Sequence, residues 1–411
     1  MRRPLLALLT ANLLSVTGTT LTTVAVPWFV LETTGSAART GLAAAVSLAP
    51  VVISAGLGGA LVDRLGYRRA SVLADLAGAV LVAAIPVLWR TVGLPYGVLL
   101  ALLFLRWLFA TPGETAREAL MPEVARDAGT PLERAMSAVE GASRGGKMLG
   151  APLAGALIAV FGAADLLLID TLSFLLSAAL VGLALRRVAE QRHPVTGPYV
   201  TRLREGLAYL ARDRLLRAVC LLVLVTNLLD AAYAQVLLPV YARDVLHSPL
   251  ALGAISGAFS AGAVLGTVLY GAAGACLPRR VTFVLAMVVA GGPRFLLLML
   301  GVPLPALLGG MVVLAVATGA INPILGATQL ERVPGALRAR VMGAVTAVAW
   351  AAMPLGGLLG GALTEAAGVR AALVLCGVAY LLATASPAIG RTWRGLDRDV
   401  PVTGKARVTL R

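Results

Sequence analysis

The sequence predicts an all-α membrane protein of twelve transmembrane helices in two related six-helix bundles. Three observations predict it: an apolar composition, twelve apolar runs of spanning length, and a basic charge concentrated in alternate linkers. Of 411 residues, 59% are hydrophobic and 13% are charged, with mean hydropathy +0.88. A soluble domain carries about 25% charged residues, and no water-soluble core of this length hides so much apolar surface. The net charge of +15 would suggest nucleic acid on a soluble chain. Here the arginines fall between apolar runs, so the charge reads as topology and no nucleic-acid partner is expected.

A helix needs about 20 apolar residues to cross the hydrocarbon core. Runs of that kind lie at 5–31, 40–61, 70–89, 94–111, 136–161, 165–185, 216–240, 250–274, 281–300, 304–327, 341–363 and 370–390. The start, Met1-Arg2-Arg3-Pro4, mimics a signal peptide, but Leu5 to Leu31 is long enough to span and lacks a small-residue cleavage site. It is read as a retained first helix. With both termini on the inner side, inner segments hold 28 of the 35 Lys and Arg residues and outer loops hold 4 (Arg39, Arg90, Arg243 and Arg370). That asymmetry fits the positive-inside rule with cytoplasmic termini. Trp28, Trp89, Tyr96 and Tyr241 fall at expected outer ends, where amphipathic rings favour the interface. Arginine outnumbers lysine 33 to 2, which points to GC-rich coding and a bacterial source, so the expected location is the inner membrane.

These spans divide the chain into a bundle at 1–185, a linker at 186–215, a bundle at 216–390 and a basic tail at 391–411. Within the linker, 191–198 is polar and Pro-containing. Arg202 to Arg217 places Leu203, Leu207, Leu210 and Leu215 on one face among arginines, an amphipathic helix that lies on the leaflet or on the bundle. The halves repeat. At a shift of 212 residues Pro27 falls on Pro239, Gly41 on Gly253 and Arg68 on Arg280, and at a shift of 202 Gly150-Ala-Pro152 matches Ala352-Met-Pro354. Each match pairs a span with the one six later, an arrangement of transporters whose halves rock about a central site. Chance matching in a Gly- and Leu-rich chain is the competing account.

Cys220, Cys276 and Cys376 give neither ligand spacing nor a disulfide framework, and His193 and His247 are far apart. No metal, cofactor or catalytic cluster is expected, and the chain is not read as an enzyme.

The loop after span 2 runs Gly59-Ala-Leu-Val-Asp63-Arg64-Leu-Gly66-Tyr-Arg68-Arg69. Gly66 permits a tight turn, and the arginines hold the loop at the inner face. The pattern G-x-x-x-D-R-x-G-x-R-R resembles the signature loop of the major facilitator superfamily. That resemblance implies the twelve-helix facilitator fold and a gating role for Gly59, Asp63, Arg64, Gly66, Arg68 and Arg69, the Asp latching the inner side shut. Tyr67 departs from the usual basic residue, and the matched loop Gly271 to Arg280 carries Ala275 where the Asp would stand, so the latch is one-sided.

Gly146-Lys147-Met-Leu-Gly150-Ala-Pro152-Leu-Ala-Gly155 opens span 5. Small residues four apart allow close backbone approach, and proline permits a bend. The string is similar to the exporter signature of the superfamily, with Ala151 where Gly is common. Generic small-residue packing is the plainer reading.

Arg106 lies within span 4. An intramembrane charge costs about 3 kcal/mol on insertion scales, so it faces a partner or water, unless it snorkels to the inner interface. It resembles the arginine implicated in proton coupling in the drug:proton antiporters. Asp75, Asp170 and Asp230 are intramembrane acids, and desolvation makes such carboxylates reversible proton carriers. Asp230 is the preferred carrier, with Arg106 and Asp75 as further coupling candidates. Asp75, near enough to pair with Arg106 or the loop at 64–69, also reads as an interhelical tie, as does Asp170. Span 1 has no carboxylate, a departure from many antiporters of the family.

Span 1 is polar: Asn12, Ser15, Thr19, Thr22 and Thr23 share a face. Facing lipid such a stripe is costly, so it is expected to line a path with Asn227, Asp230, Tyr233 and Asn322. Hydroxyls bonded to their own i−4 carbonyls are the alternative. With Gln329-Leu-Glu331-Arg332 through Arg340-Val-Met-Gly343 and Glu205-Gly206-Leu-Ala-Tyr209, the chain looks like the branch containing macrolide and siderophore exporters. The resemblance implies proton-driven export of small amphiphilic molecules by a monomer in the lipid bilayer. Uptake or uniport of a metabolite, or ligand or lipid handling without transport on the same scaffold, are the alternatives.

Overall fold

The computed structural model describes residues 3–186 and 199–396, without the side chains of 52–64 and a few isolated positions. The expected loose stretch at 191–198 and the tail from 397 onward lie outside the described residues.

Leu, Ala and Val dominate the apolar runs, and in lipid a backbone must satisfy its own hydrogen bonds, so the runs become helices. The first bundle comprises α1 (Arg3–Thr34), α2 (Ala37–Leu65), α3 (Tyr67–Thr91), α4 (Tyr96–Ala119), the short α5 (Met121–Asp127), α6 (Leu132–Phe161) and α7 (Ala163–Ala184). The linker helix α8 (Tyr199–Arg212) follows. In the second bundle α9 (Arg214–Ala232) runs through a π-helical turn (Tyr233–Leu237) into α10 (Leu238–Asp244), and α11 (Pro249–Ala273) returns. The next pass joins α12 (Arg279–Ala290) to α13 (Gly292–Leu297), and the one after joins α14 (Leu304–Val316) to α15 (Ile321–Arg332). The chain ends with α16 (Arg338–Ala351) and α17 (Met353–Ile389).

Among the described residues, nine helical stretches are long and apolar enough to cross a membrane. The last, Arg340–Ile389, spans 50 residues and turns at Gly368, whose φ of 81° suits glycine, so it holds two passes. With α2 and α6 the path makes twelve. Leucines face outward along them, Leu382 at 71% and Leu183 at 66% exposure, an apolar girdle that only lipid covers.

The passes alternate between a basic end and a far end. At the far end α2 packs on α17 and α6 on α11 across the two bundles. Glycine allows both approaches: a Cβ on Gly41 would stand 2.2 Å from the Gly357 carbonyl, and one on Gly155 would stand 2.7 Å from that of Pro249. The largest buried core draws on both bundles, from Val26 and Phe29 to Tyr241 and Phe295. At the basic end the cores divide, Leu8, Leu120 and Val181 in the first bundle, Leu215, Phe283 and Ile324 in the second.

Several details correct the sequence reading. Trp28 and Tyr241 are buried in the core rather than set at an interface, and Tyr241 Oη donates to the Leu298 carbonyl at 2.5 Å. The segment from Pro112, expected as linker, continues α4 to Ala119 and so places Arg117 inside the bundle. Helix α8 docks on α16 of the second bundle. Its Gly206 makes the approach, since a Cβ there would lie 2.3 Å from the Arg340 carbonyl. Arg340 pairs with Glu205 at 2.5 Å, and Tyr209 donates to the Arg332 carbonyl at 2.8 Å. Leu210 and Leu215 are buried but Leu207 is exposed, because the contact stripe runs through Gly206 instead.

Candidate functional site: polar networks and two cavities

The polar stripe of α1 is spent mostly inside the first bundle. Asn12 Nδ2 donates to Ser143 Oγ of α6 at 2.8 Å. Ser15 Oγ accepts from Arg117 Nη2 at 2.9 Å. Arg117 Nη1 also donates to both oxygens of Asp75, at 2.9 and 3.0 Å, and Ser177 Oγ donates to Asp75 Oδ2 at 2.7 Å. This buried knot ties α1, α3, α4 and α7. Asp75 therefore pairs with Arg117, not with Arg106 or the basic loop.

One turn further along α1, Thr19 Oγ1 accepts from Arg106 Nη2 at 3.3 Å. Arg106 is 2% exposed, so it does not snorkel. Its guanidinium lies 4.6 Å from the Phe174 ring centre and 5.1 Å from that of Trp107, where the ring faces attract a cation. Its Nε has no hydrogen-bond partner among the described residues. Its charge and that of Asp170 act on each other. The Asp170 carboxylate accepts from Thr22 and from Ser173 Oγ, and it sits against Gly18, where a Cβ would be 2.1 Å from Oδ1.

In the second bundle Arg294 Nη2 pairs with Asp230 Oδ1. The guanidinium sits among Tyr233, Phe259, Phe295 and Tyr380, 4.8 to 5.6 Å from their ring centres. Tyr233 also meets Phe295 edge-on at 4.8 Å. Asp230 retains 39% of its side-chain exposure, and what it meets is a cavity of about 220 Å³ that Asn227, Asn322, Thr226 and Thr318 also line. Asn227 Nδ2 donates to the Ala349 carbonyl at 2.8 Å.

A separate cavity of about 120 Å³ lies where the bundles meet, lined by Thr22 and Thr23 of α1, Thr40 and Ser47 of α2, Trp107 of α4 and Gln235 of the π-turn. The structure thus gathers Asn227, Asp230 and Asn322 around one cavity and Thr22 and Thr23 around another. Asn12, Ser15 and Thr19 face neighbouring helices instead. The expected single path is two separate cavities, because arginines within the first bundle claim Ser15 and Thr19.

The span-5 residues form two seams of α6. Gly146 and Gly150 meet α1 at Thr17 and Thr20, while Pro152 and Gly155 meet α11 at Gly257 and Gly253. In the loop, Gly66 has φ 85° and turns α2 into α3. Arg68 is half-buried and engaged, and Arg69 is exposed. The side chains of Gly59, Asp63 and Arg64 lie outside the described residues.

The sequence alone gives Arg117 and Trp107 no role, marks Arg294 only as an arginine within a span, and marks Gln235 only as a polar neighbour of Asp230. Arg294 carried a usable signal, since an intramembrane arginine requires a partner and Asp230 is the acid within the same half.

Two six-helix bundles, joined at one end, divided at the other and enclosing polar cavities, define a polytopic membrane transporter. The sequence matches the Major Facilitator Superfamily over residues 8–247 and 220–408, and the chain belongs to that family. It is 33% identical over 388 residues to the multidrug efflux pump Tap of Mycolicibacterium fortuitum, covering 93% of this chain and 94% of that one. It is 32% identical over 375 residues to the Tap pump of Mycobacterium tuberculosis, covering 90% and 89%. Among solved structures, the nucleoside transporter NupG superposes with TM-score 0.75 at 15% identity, over 94% of this chain and 98% of that one. A POT family transporter superposes with TM-score 0.71 at 12% identity, over 94% and 96%. These two likenesses bear on fold alone.

Proposed function

We propose that the chain exports small amphiphilic organic molecules across the bacterial cytoplasmic membrane by alternating access, with protons moving inward in exchange. The observation that carries this is 33% identity, over 93% of the chain, to a protein named a multidrug efflux pump. The sequence assigns 28 of its 35 basic residues to segments expected on one side, which supports a cytoplasmic basic end with both termini there. The bundles are then parted toward the cytoplasm and closed toward the outside, the arrangement that loads an exporter. Both bundles belong to one chain, so a monomer suffices.

Asp230 is the proton carrier in this reading. Ionised, it holds Arg294. Protonated from the cavity it faces, it releases that guanidinium, and the packing of α9 against α12 and α13 changes. Arg106 tunes the first bundle through Thr19 and the nearby Asp170 charge. Asp75, enclosed by Arg117 and two serines, belongs to the scaffold. The loop with Asp63, Arg64, Arg68 and Arg69 latches the basic end when the bundles close there, and the Gly155 and Gly41 seams close the far end. Cavities lined by hydroxyls, amides and aromatic rings suit amphiphiles.

The test is drug accumulation in an efflux-deficient bacterium. Wild type lowers accumulation, whereas Asp230→Asn and Arg106→Ala, expressed to equal levels, do not. Unchanged accumulation with wild type overturns export, and normal export by Asp230→Asn under a proton gradient overturns the carrier assignment.

A further inference from the structure

We infer that Gln235 is the specificity-determining contact of the cavity between the bundles, where it receives an uncharged hydrogen-bond acceptor, a carbonyl or amide oxygen, on an amphiphilic substrate. The inference rests on the transport reading above and goes beyond it by naming a residue and a functional group.

Hydrogen-bond accounting in the cavity points to Gln235. None of the described residues lining it is formally charged, so it selects by hydrogen bonds and shape. A hydroxyl has one proton to donate, and the four lining hydroxyls have committed theirs. Thr22 donates to Asp170. Thr23 donates to the Thr19 carbonyl at 2.7 Å, Thr40 to that of Ser36 at 3.0 Å, and Ser47 to that of Ala43 at 2.8 Å. Toward the cavity they therefore offer lone pairs. Trp107 brings a single indole N–H, whereas Gln235 has two N–H donors and a carbonyl and its side chain has no hydrogen-bond partner among the described residues. It is the side chain the second bundle contributes to this cavity. A half-buried amide without a partner is a site that a ligand group or water must complete.

The backbone explains why Gln235 stands there. The Leu238 N–H bonds the Tyr233 carbonyl, five residues back, which is the π pattern, rare and frequent at functional sites. Within this turn Tyr233 packs beside Arg294 at 4.8 Å, and Val236 and Leu237 are fully buried. An ordinary α-turn would rotate Gln235 relative to α9, whose Thr226, Asn227 and Asp230 line the other cavity, and take it off the inter-bundle one. The turn thus lets one helix serve the Asp230 cavity and the inter-bundle cavity at once. About 120 Å³ admits a functional group, not a whole drug, so the rest of the amphiphile extends toward the parted basic end.

The experiment uses purified full-length protein in detergent and two neutral probes, a naphthyl amide and the naphthyl alkane of matched length with methylenes in place of both the amide carbonyl and the amide nitrogen. Binding is read by quenching of tryptophan fluorescence, Trp107 lining the same cavity. Gln235→Met keeps the length and removes the donors. Wild type should prefer the amide, and Gln235→Met should weaken amide binding about 2- to 12-fold, the range of one neutral hydrogen bond, while leaving the alkane unchanged. Equal weakening of both probes, no weakening, or no amide preference in wild type overturns the proposal. Binding is measured without flux, so its failure leaves the export reading to the accumulation assay. Failed accumulation in wild type, conversely, counts against export and not against this contact.

Discussion

Removing the Asp75 carboxylate strands a buried cation, and the consequence can be worked from the geometry. Arg117 and Asp75 are each 5% exposed at the side chain and 2.9 Å apart, with Ser15 and Ser177 completing the knot. Asp75→Ala leaves the Arg117 guanidinium without its counter-charge, and breaking a buried pair in this way costs about 3–5 kcal/mol. That is two to more than three orders of magnitude in the folded-to-unfolded ratio. The double variant Asp75→Leu/Arg117→Leu removes both charges, and apolar replacement of a buried pair is often neutral or stabilising. Purified wild type, both single variants and the double variant are compared by thermal unfolding in one detergent. The singles should unfold far below wild type and the double should recover most of the loss. A single variant within about 1 kcal/mol of wild type, or a double as weak as the singles, refutes the assignment of this pair as a structural tie.

Other expectations follow from the far end and the basic end. Gly41→Val places side-chain atoms where a Cβ alone would stand 2.2 Å from the Gly357 carbonyl, so the far end should fail to close and export should fall at least tenfold in vesicles. Glu365 accepts from Ser36 Oγ at 3.4 Å and from the Ala38 N–H at 3.2 Å, and Arg243 donates to the Leu31 carbonyl at 2.6 Å. Glu365→Gln with Arg243→Gln should loosen this contact and raise labelling of a Thr40→Cys reporter from the far side. Gly206→Leu should undock α8 and expose the linker to limited proteolysis. Cys276 is exposed while Cys220 and Cys376 are buried. A membrane-impermeant maleimide should therefore label Cys276 in everted vesicles and not in intact cells, if the basic end is cytoplasmic.

The passes were legible because lipid demands long apolar runs and internally bonded backbones, conditions written directly in composition. The charge asymmetry and the loop around Asp63 carried the family. What stayed hidden depended on rotation about helix axes and on helix ends. The limits of α4 were set at 111 because charged residues begin at Glu114, yet the helix runs to Ala119, and this concealed the Arg117 partner of Asp75. The α1 stripe followed from helical spacing, but its destinations depended on which side chains met it, and Arg106 and Arg117 arrive from α4, about 100 residues away. The burial of Trp28 and Tyr241 escaped notice because an aromatic near a span end fits an interface or a core equally well. The π-turn Tyr233-Ala-Gln235-Val-Leu holds no breaker itself, and Pro239 just beyond it, which lacks an N–H for the Gln235 carbonyl, marks a disturbed helix without fixing its type.

The central claim is that two parted bundles move an organic molecule against the direction of proton flow. Purified protein in liposomes with an acidic lumen, offered a neutral fluorescent amphiphile outside, tests it most directly, because a pH gradient alone cannot concentrate a neutral compound. The account predicts accumulation in the lumen that needs both the protein and the gradient, is abolished by a protonophore, and is lost in Asp230→Asn. Accumulation indifferent to the gradient, or none beyond protein-free liposomes, contradicts it.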